Sequence, residues 1–345
     1  MLNVVSALYL LLRRGNAIAP EVTSPIRLRR WAAAFLFVCA FSHVSWIVYF
    51  YHPSPAFYAL VCGLDLLLLF PTIAGILLSM LQDRRRPVWP VLALLVPALV
   101  LLALSGIRGD DFFYTPLIIY VLCLYAFIML FLFLAVRRYG RWLRDNYADL
   151  ENKEVWQSLL LLAVFMLLFV MYSSTTGGSP IMEYLLQIDC IIIVGLLLWR
   201  VETLQQLNVS TSAPEAEPVE DAQKDSTPKP VPVDIAPLLK KYCESRRLYL
   251  RHDLTLAQLA QAIGTNHFYL SQFFSQQGIT YNAYINGLRI RHFTRLYKKA
   301  VADGRVFTAK QLAFESGYHS YSTFSAAFRQ STGKTVTTWI HDASE

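Results

Sequence analysis

Three ionisable side chains stand inside long apolar stretches of the first two hundred residues: His43, Asp65 and Asp189. A charged group in hydrocarbon is costly, so such residues indicate function by default. If these stretches cross a membrane, each of the three lies about 12–14 Å below the outer surface. We predict a shared outward-facing sensing site there, with the neighbours Ser42, Ser45, Tyr172 and Glu183. The alternative is that each polar group makes an interhelical hydrogen bond that only holds the helices together.

Patterns that carry hydrolytic or metal chemistry are absent from the sequence. Neither HExxH nor GxSxG occurs, and the five cysteines show no CxxC or other metal-ligand spacing. We therefore predict no enzyme activity, no metal site and no cofactor. The cysteines are interpreted as small buried apolar residues rather than a disulfide framework.

The elements that hold these residues are predicted to be membrane spans. The chain has 345 residues, of which 55% are apolar and only 16% charged, with mean hydropathy +0.40. Crossing the hydrocarbon takes about 20 predominantly apolar residues. Six segments qualify, at about 30–51, 56–81, 88–106, 112–136, 155–176 and 181–201. The sequence therefore predicts a polytopic helical bundle over residues 1–204.

Arginine and lysine mark one side of this predicted bundle. They precede the first span and follow the second, fourth and sixth, whereas the three opposite loops hold only Arg108. Positive loops stay in the cytoplasm, so both termini are predicted to be cytoplasmic. Residues 1–12 are apolar but too few to span, and we predict an interfacial helix there, with a disordered start as the alternative.

Residues 205–233 change composition abruptly. Five prolines alternate there with five acidic residues, and large apolar side chains are almost absent. Such a segment cannot bury enough apolar surface to fold, so we predict a disordered linker.

The last third carries the net charge. Residues 1–233 hold 17 basic and 17 acidic residues, whereas residues 234–345 hold 14 and 7, which gives this part a charge of +7. A basic domain of this size is typical of a partner for a polyanion.

Two segments of this basic part share one pattern. Residues 254–274 and 308–329 each read as a helix, a glycine, a short turn, an N-cap and a second helix. Gly264 and Gly317 can supply the positive φ that a tight helix exit needs. Asn266 and Ser320 are good N-caps for the helices that follow. The sequence therefore predicts an all-α domain with two helix-turn-helix motifs, joined by an amphipathic helix over 281–301.

Residues 236–340 resemble the AraC/XylS-type DNA-binding domain over its full length. The resemblance is carried by Leu254-Thr255-Leu256, Leu259-Ala260, Gly264, Tyr269-Leu270-Ser271, Arg289-Ile290, Ser316-Gly317-Tyr318, Phe324, Phe328-Arg329, Gly333 and Trp339. Six spans followed by this domain look like the membrane-integrated AraC-type regulators of bacteria. The family implies two recognition helices that enter successive major grooves of one DNA face.

The resemblance implies two sets of DNA contacts. Base contacts fall on 266–276 and 320–330, at His267, Phe268, Ser271, Gln272, Ser275, Tyr321, Ser322 and Ser325, with Ala326 on the same face. Phosphate contacts fall on Arg289, Arg291, Arg295, Lys310, Arg329 and Lys334; for Arg289 an internal salt bridge is the alternative, and for Phe268 a place in the core. Tyr269, Leu270, Phe273, Phe324 and Phe328 are predicted to be core.

Three positions depart from the family. Arginine or lysine is common where this chain has Gln272 and Ala326, and proline is usual at Val336. Because arginine on guanine is the commonest specific base contact, readout is expected to use Gln, His and Tyr, or DNA shape.

The predicted function is a membrane-bound one-component transcription regulator of the bacterial inner membrane. Its expected partners are double-stranded DNA, membrane lipid, a second copy of the chain and, for an activator, RNA polymerase. The bundle would sense a signal and bias the tethered domain. One alternative is a transporter or membrane enzyme with an appended regulator; another is a bundle that only anchors the domain or is coupled to a partner membrane protein.

Overall fold

The computed structural model describes residues 1–13, 15–108, 111–175, 180–207 and 234–343. The described residues form fourteen α-helices and no strand. The chain divides into two compact units. Unit 1 comprises Met1–Gly140 and Asn152–Val209, and unit 2 comprises Arg141–Glu151 and Ser210–Glu345. Most of the predicted linker, 208–233, lies outside the described residues.

Unit 1 is built from helices that follow the predicted spans closely. They are α1 (Leu2–Leu12), α2 (Ile26–Tyr51), α3 (Pro55–Met80), α4 (Trp89–Arg108), α5 (Tyr114–Asn146), α6 (Trp156–Thr175) and α7 (Pro180–Thr203). The last residues of α5, from Arg141 onward, belong to unit 2. Ser54 caps α3 through a bond from Phe57 N to its hydroxyl, and Pro55 occupies the first helical position, where its missing N–H costs nothing.

Five helices of the described residues are long and apolar enough to cross a membrane: α2, α3, α4, α5 and α7. They coincide with five of the six predicted spans. The remaining prediction, 155–176, coincides with α6, whose described apolar part Trp156–Phe169 is shorter. Their outer faces expose many large apolar side chains, such as Phe127, Leu130 and Phe133 of α5. An apolar surface of this extent is typical of a lipid-facing bundle.

The apolar start of the chain is helix α1, which packs against α2 with Ser6, Ala7 and Leu10 buried. The connection after α1 is fastened to the end of α7 by Glu202. Its carboxylate accepts hydrogen bonds from the backbone N–H of Ala17 (3.0 Å) and of Ile18 (2.8 Å) and from the hydroxyl of Tyr9. The predicted N-terminal helix is therefore present, and its opposite face exposes Leu8, Leu11 and Leu12.

Unit 2 contains the small helices of the basic third. They are α8 (Ile235–Leu238), which continues as a wider turn to Glu244, then α9 (Leu256–Ile263), α10 (His267–Gln276), α11 (Tyr281–Ala302), α12 (Ala309–Glu315), α13 (Tyr321–Thr332) and α14 (Val336–Asp342). Helix α11 joins two apolar cores. Its first half packs with α9 and α10 through Ile285 and Leu288, and its second half packs with α12 and α13 through Phe293 and Tyr297.

Candidate nucleic-acid interface

The first helix-turn-helix motif is α9, a turn and α10. Thr255 begins α9 with a capping box, since its hydroxyl accepts from Gln258 N and the Gln258 side chain accepts from Thr255 N. Gly264 ends α9 at φ +75°, and the Asn266 side chain accepts from Phe268 N at 3.1 Å to begin α10. The predicted glycine exit and N-cap are both confirmed.

The second motif, α12 and α13, repeats this construction. Thr308 caps α12 through Gln311 N, and Ser320 caps α13 through Thr323 N, each at 3.2 Å. Gly317 lies between the helices at φ +90°. A Cβ at this position would lie 2.8 Å from the Leu250 Cα and carbonyl oxygen, so the turn also requires glycine for close approach to that backbone.

Four of the eight predicted base contacts are exposed on α10 and α13, and the other four are half-buried. Phe268 is 66% exposed, Gln272, Ser275, Ser322 and Ala326 are exposed, and His267, Ser271, Tyr321 and Ser325 are half-buried. Leu270, Phe324 and Phe328 are core, as predicted, and Phe273 packs partly against the first core. The prediction of a core role for Tyr269 is wrong: its side chain is 43% exposed beside Phe268.

The predicted phosphate contacts separate into two groups. Arg291, Arg295, Lys310, Arg329 and Lys334 are exposed, although Lys334 Nζ makes a 2.8 Å ion pair with Asp342. Arg289, in contrast, is 0% exposed. A guanidinium that is fully enclosed does not reach a DNA phosphate. The prediction of Arg289 as a phosphate contact is therefore wrong.

Arg289 instead fastens the backbone that precedes α9. Its Nε donates to the Tyr249 carbonyl at 2.8 Å, and one terminal nitrogen donates to the carbonyls of Arg251 (2.6 Å) and His252 (3.1 Å). Burial lowers the pKa of Arg289, and Tyr318 and Asp149 partly offset this effect. Arg289 therefore has the internal role that the sequence left open, and its main hydrogen-bond acceptors are backbone carbonyls.

Residues 243–341 match the family model described as a helix-turn-helix domain. The C-terminal part of this chain is an AraC/XylS-type DNA-binding domain. No curated protein and no solved structure matches the chain. The match to this family supports DNA binding and transcription regulation as the functions of this part of the protein.

Sequence reasoning missed a segment that packs against the AraC-type domain inside unit 2. Residues Asn146–Glu151, named here the docking segment, begin at the last residue of α5 and contact both motifs. Asn146 Oδ1 lies 2.8 Å from His267 Nε2, and the Glu151 carboxylate accepts from the Thr323 hydroxyl at 2.9 Å. The only sequence signal was the pair of acidic residues, Asp149 and Glu151, that ends a polar loop opposite a basic domain.

The predicted sensing residues lie in unit 1 and are not all brought together. Asp65 accepts a hydrogen bond from the indole N–H of Trp46 at 2.8 Å, and the buried Ser42 lies beside it. Helix α2 packs against both α3 and α7, but His43 lies on an exposed face of α2.

Asp189 of α7 is buried, and neither carboxylate oxygen has a hydrogen-bond partner among the residues that the structure describes. The side chains of Tyr172 and Glu183 lie outside the described residues.

Among the residues that the structure describes, no three His, Cys, Asp or Glu side chains form a cluster that could hold a metal ion. All five cysteines are free thiols. Cys243 belongs to the first core of the AraC-type domain, and burial raises the pKa of its thiol to about 12. A thiol of this kind is unreactive at neutral pH, which fits a packing role.

Proposed function

We propose that this protein is a membrane-bound one-component transcription regulator. The observation that carries the proposal is the combination, in one chain, of an AraC-type domain with two capped recognition helices and at least five helices suited to crossing a membrane. The helical bundle senses a signal in the membrane or envelope and biases the DNA binding of the domain. The bias requires the signal to favour one state of the bundle over another.

The proposed orientation places both termini and the loop between α5 and α6 in the cytoplasm. The distribution of arginine and lysine supports it. The packing of Arg141–Glu151 within the same unit as the AraC-type domain supports it independently, because the two must then share one side of the membrane.

The sensing part of the proposal centres on Asp65. Asp65 is a half-buried carboxylate held by Trp46 and beside Ser42, and Asp189 is buried in α7, which also packs on α2; ionisable groups inside apolar helices are expensive to maintain. His43 lies on α2, the helix of Ser42 and Trp46, but its exposed position separates it from the Asp65 carboxylate, and we include it only for that shared helix.

Genome-wide DNA occupancy of the full-length protein in its host tests the proposal. The paired strain carries Gln272→Ala and Tyr321→Ala, and a control strain carries Thr294→Ala, whose hydroxyl donates to carbonyls of its own helix. Discrete peaks that disappear only in the paired strain support sequence-specific regulation. Membrane-located protein whose peaks the double substitution leaves intact would overturn it in favour of anchoring or transport.

A further inference from the structure

The docking segment is fastened to the AraC-type domain by main-chain pairing. Tyr147 forms an antiparallel bridge with Thr255, and Ala148 N donates to the Leu254 carbonyl at 3.3 Å. The Asn282 amide of α11 donates to the carbonyls of Tyr147 (3.2 Å) and Ala148 (2.7 Å). These contacts recognise the backbone of the segment, as when a peptide adds to a strand edge.

The segment also inserts apolar and charged groups. Ala148 is 1% exposed and belongs to the first core of the domain. Asp149 is 4% exposed, and its carboxylate accepts from Glu151 N at 3.0 Å. The negative charge of Asp149 raises the pKa of both Arg289 and Tyr318, which belong to different halves of the domain. A buried, hydrogen-bonded acidic turn of this kind is a built interface rather than a loose surface contact.

The two ends of the segment reach the first turns of both recognition helices, at the predicted base contact His267 and at Thr323, the neighbour of the predicted contact Ser322. The Asn146 side chain hydrogen-bonds a ring nitrogen of His267, the first residue of α10. The Glu151 carboxylate accepts a hydrogen bond from the hydroxyl of Thr323, in the first turn of α13. The first turn of a helix is where a phosphate binds best, since free N–H groups and the helix dipole favour an anion. The carboxylate of Glu151 therefore stands where a DNA phosphate would be expected.

The acidic residues of the segment favour the same interpretation. The docking segment carries Asp149 and Glu151 and no basic residue, while residues 234–345 carry a net charge of +7. These two carboxylates lie between the basic residues Arg144 and Lys153 in the chain, so they oppose a polyanion through their contacts with the domain rather than through the net charge of this region.

We propose that the docking segment is an intramolecular competitor of DNA, which binds the AraC-type domain across both helix-turn-helix motifs and must leave before both recognition helices engage a duplex. This inference rests on the proposed function, because it regulates the same surface. Docked and DNA-bound states exclude each other, so the apparent DNA affinity equals the intrinsic affinity multiplied by the fraction of molecules that are undocked.

The chain connects this competitor directly to the bundle. Helix α5 is continuous from Tyr114 to Asn146, so the docking segment begins where a candidate membrane span ends. A signal that shifts or rotates α5 changes the free energy of docking without any new contact to DNA. The regulated element is thus the loop between α5 and α6 rather than the proline-rich linker.

A disulfide lock tests the docked state. Because Ala148 N bonds Leu254 O, Tyr147 and Thr255 form a non-hydrogen-bonded antiparallel pair, whose Cα atoms lie about 4.5 Å apart, within disulfide range. Full-length Tyr147→Cys/Thr255→Cys protein in lipid nanodiscs should form this bond on oxidation and lose at least about tenfold in DNA affinity, and reductant should restore it. The single variant Tyr147→Cys, treated identically, controls for the oxidation. Failure of the pair to crosslink would overturn the docked arrangement.

A releasing variant tests the opposite direction. Asn282→Ala removes both side-chain bonds to the segment and should raise DNA affinity about tenfold, whereas the control Thr294→Ala on the same helix should not. The probes are the DNA fragment that the Asn282→Ala protein enriches most from sheared host DNA and a scrambled duplex of equal length. Equal affinity of the wild-type, locked and releasing proteins would overturn the competitor while the proposed function stands. If no form, including Asn282→Ala, prefers any fragment over the scrambled duplex, the proposed function itself fails.

Discussion

The guanidinium carbon of Arg289 lies 5.4 Å from the ring centroid of Tyr318, and this contact joins the two halves of the AraC-type domain. Arg289 also holds the backbone before α9, while Tyr318 belongs to the second core and packs on Phe324. Burial raises the pKa of the Tyr318 hydroxyl more than the charge of Arg289 lowers it, so the ring stays neutral. One arginine therefore couples the motif that contains α10 to the motif that contains α13.

Replacing Arg289 should destabilise the domain rather than weaken a phosphate contact. In Arg289→Met, three carbonyls lose their donor, and the free energy of unfolding should fall by about 3 kcal/mol. Hydrogen exchange of the slowest α11 amides in the full-length protein measures this loss. The exposed Arg291→Ala provides the comparison, since it should leave exchange unchanged and lower the salt dependence of DNA binding by about one unit of slope. A stable Arg289→Met protein with a reduced salt slope would contradict the internal role.

The two turn glycines should respond differently to alanine. At Gly264, φ is +75° and nothing lies within 4 Å of the place that a Cβ would take, so Gly264→Ala carries only the backbone strain, about 1 kcal/mol. Gly317→Ala adds a collision with the Leu250 backbone at 2.8 Å and should cost about 3 kcal/mol. Hydrogen exchange of the slowest α11 amides measures the loss of unfolding free energy in each variant. Equal losses in the two variants would mean that the Leu250 backbone moves freely to make room for the new Cβ.

The helix-turn-helix construction was predictable because its signals are local. The caps at Asn266 and Ser320 and the positive φ at Gly264 and Gly317 depend on neighbouring residues alone, and all four were predicted correctly. The apolar spans were predictable for a similar reason, since length and hydropathy decide them.

What depends on distant packing was not predictable. Tyr269 shares the periodicity of core residues yet is exposed, and Arg289 has the charge of a phosphate contact yet is enclosed. The docking segment pairs Asn146 with His267, which are 121 residues apart, and no local pattern encodes a contact of that separation. Sequence periodicity assigns a face to a residue but does not say which partner covers that face.

Base readout by α10 should depend on Gln272. Its side chain is exposed, and glutamine pairs with adenine through two hydrogen bonds, so Gln272→Ala should cost about 1–3 kcal/mol on the preferred fragment. Affinity for the scrambled duplex should not change. Lys310→Ala is the matched control, because loss of a phosphate contact weakens binding to both duplexes alike. A uniform loss in Gln272→Ala would assign Gln272 to the backbone instead.

The Asp65 site should affect the response to the signal rather than DNA binding itself. Asp65→Asn removes the charge and Trp46→Phe removes the indole donor, so each should shift expression of the occupied genes in vivo while the protein remains in the membrane. Val44→Ala on the exposed face of α2, the helix of Trp46, serves as the control and should leave expression unchanged. If Asp65→Asn and Asp189→Asn both respond normally at normal abundance, these carboxylates only hold the bundle.

Acidification should weaken the AraC-type domain through His292. Burial lowers the pKa of His292, Arg247 and Arg295 lower it further, and Glu315 opposes them; the ring also contacts the Tyr249 hydroxyl at 3.4 Å. The unfolded chain therefore binds a proton more readily, so the stability that neutral His292 contributes is complete above the ordinary histidine value of about 6.5 and is lost as the pH falls below it. Hydrogen exchange of α11, corrected for intrinsic rates, should show less protection at about pH 5.5 than at about pH 7.5. His292→Gln, which cannot titrate, should reduce that difference, and an unchanged difference would assign the acid sensitivity to another group.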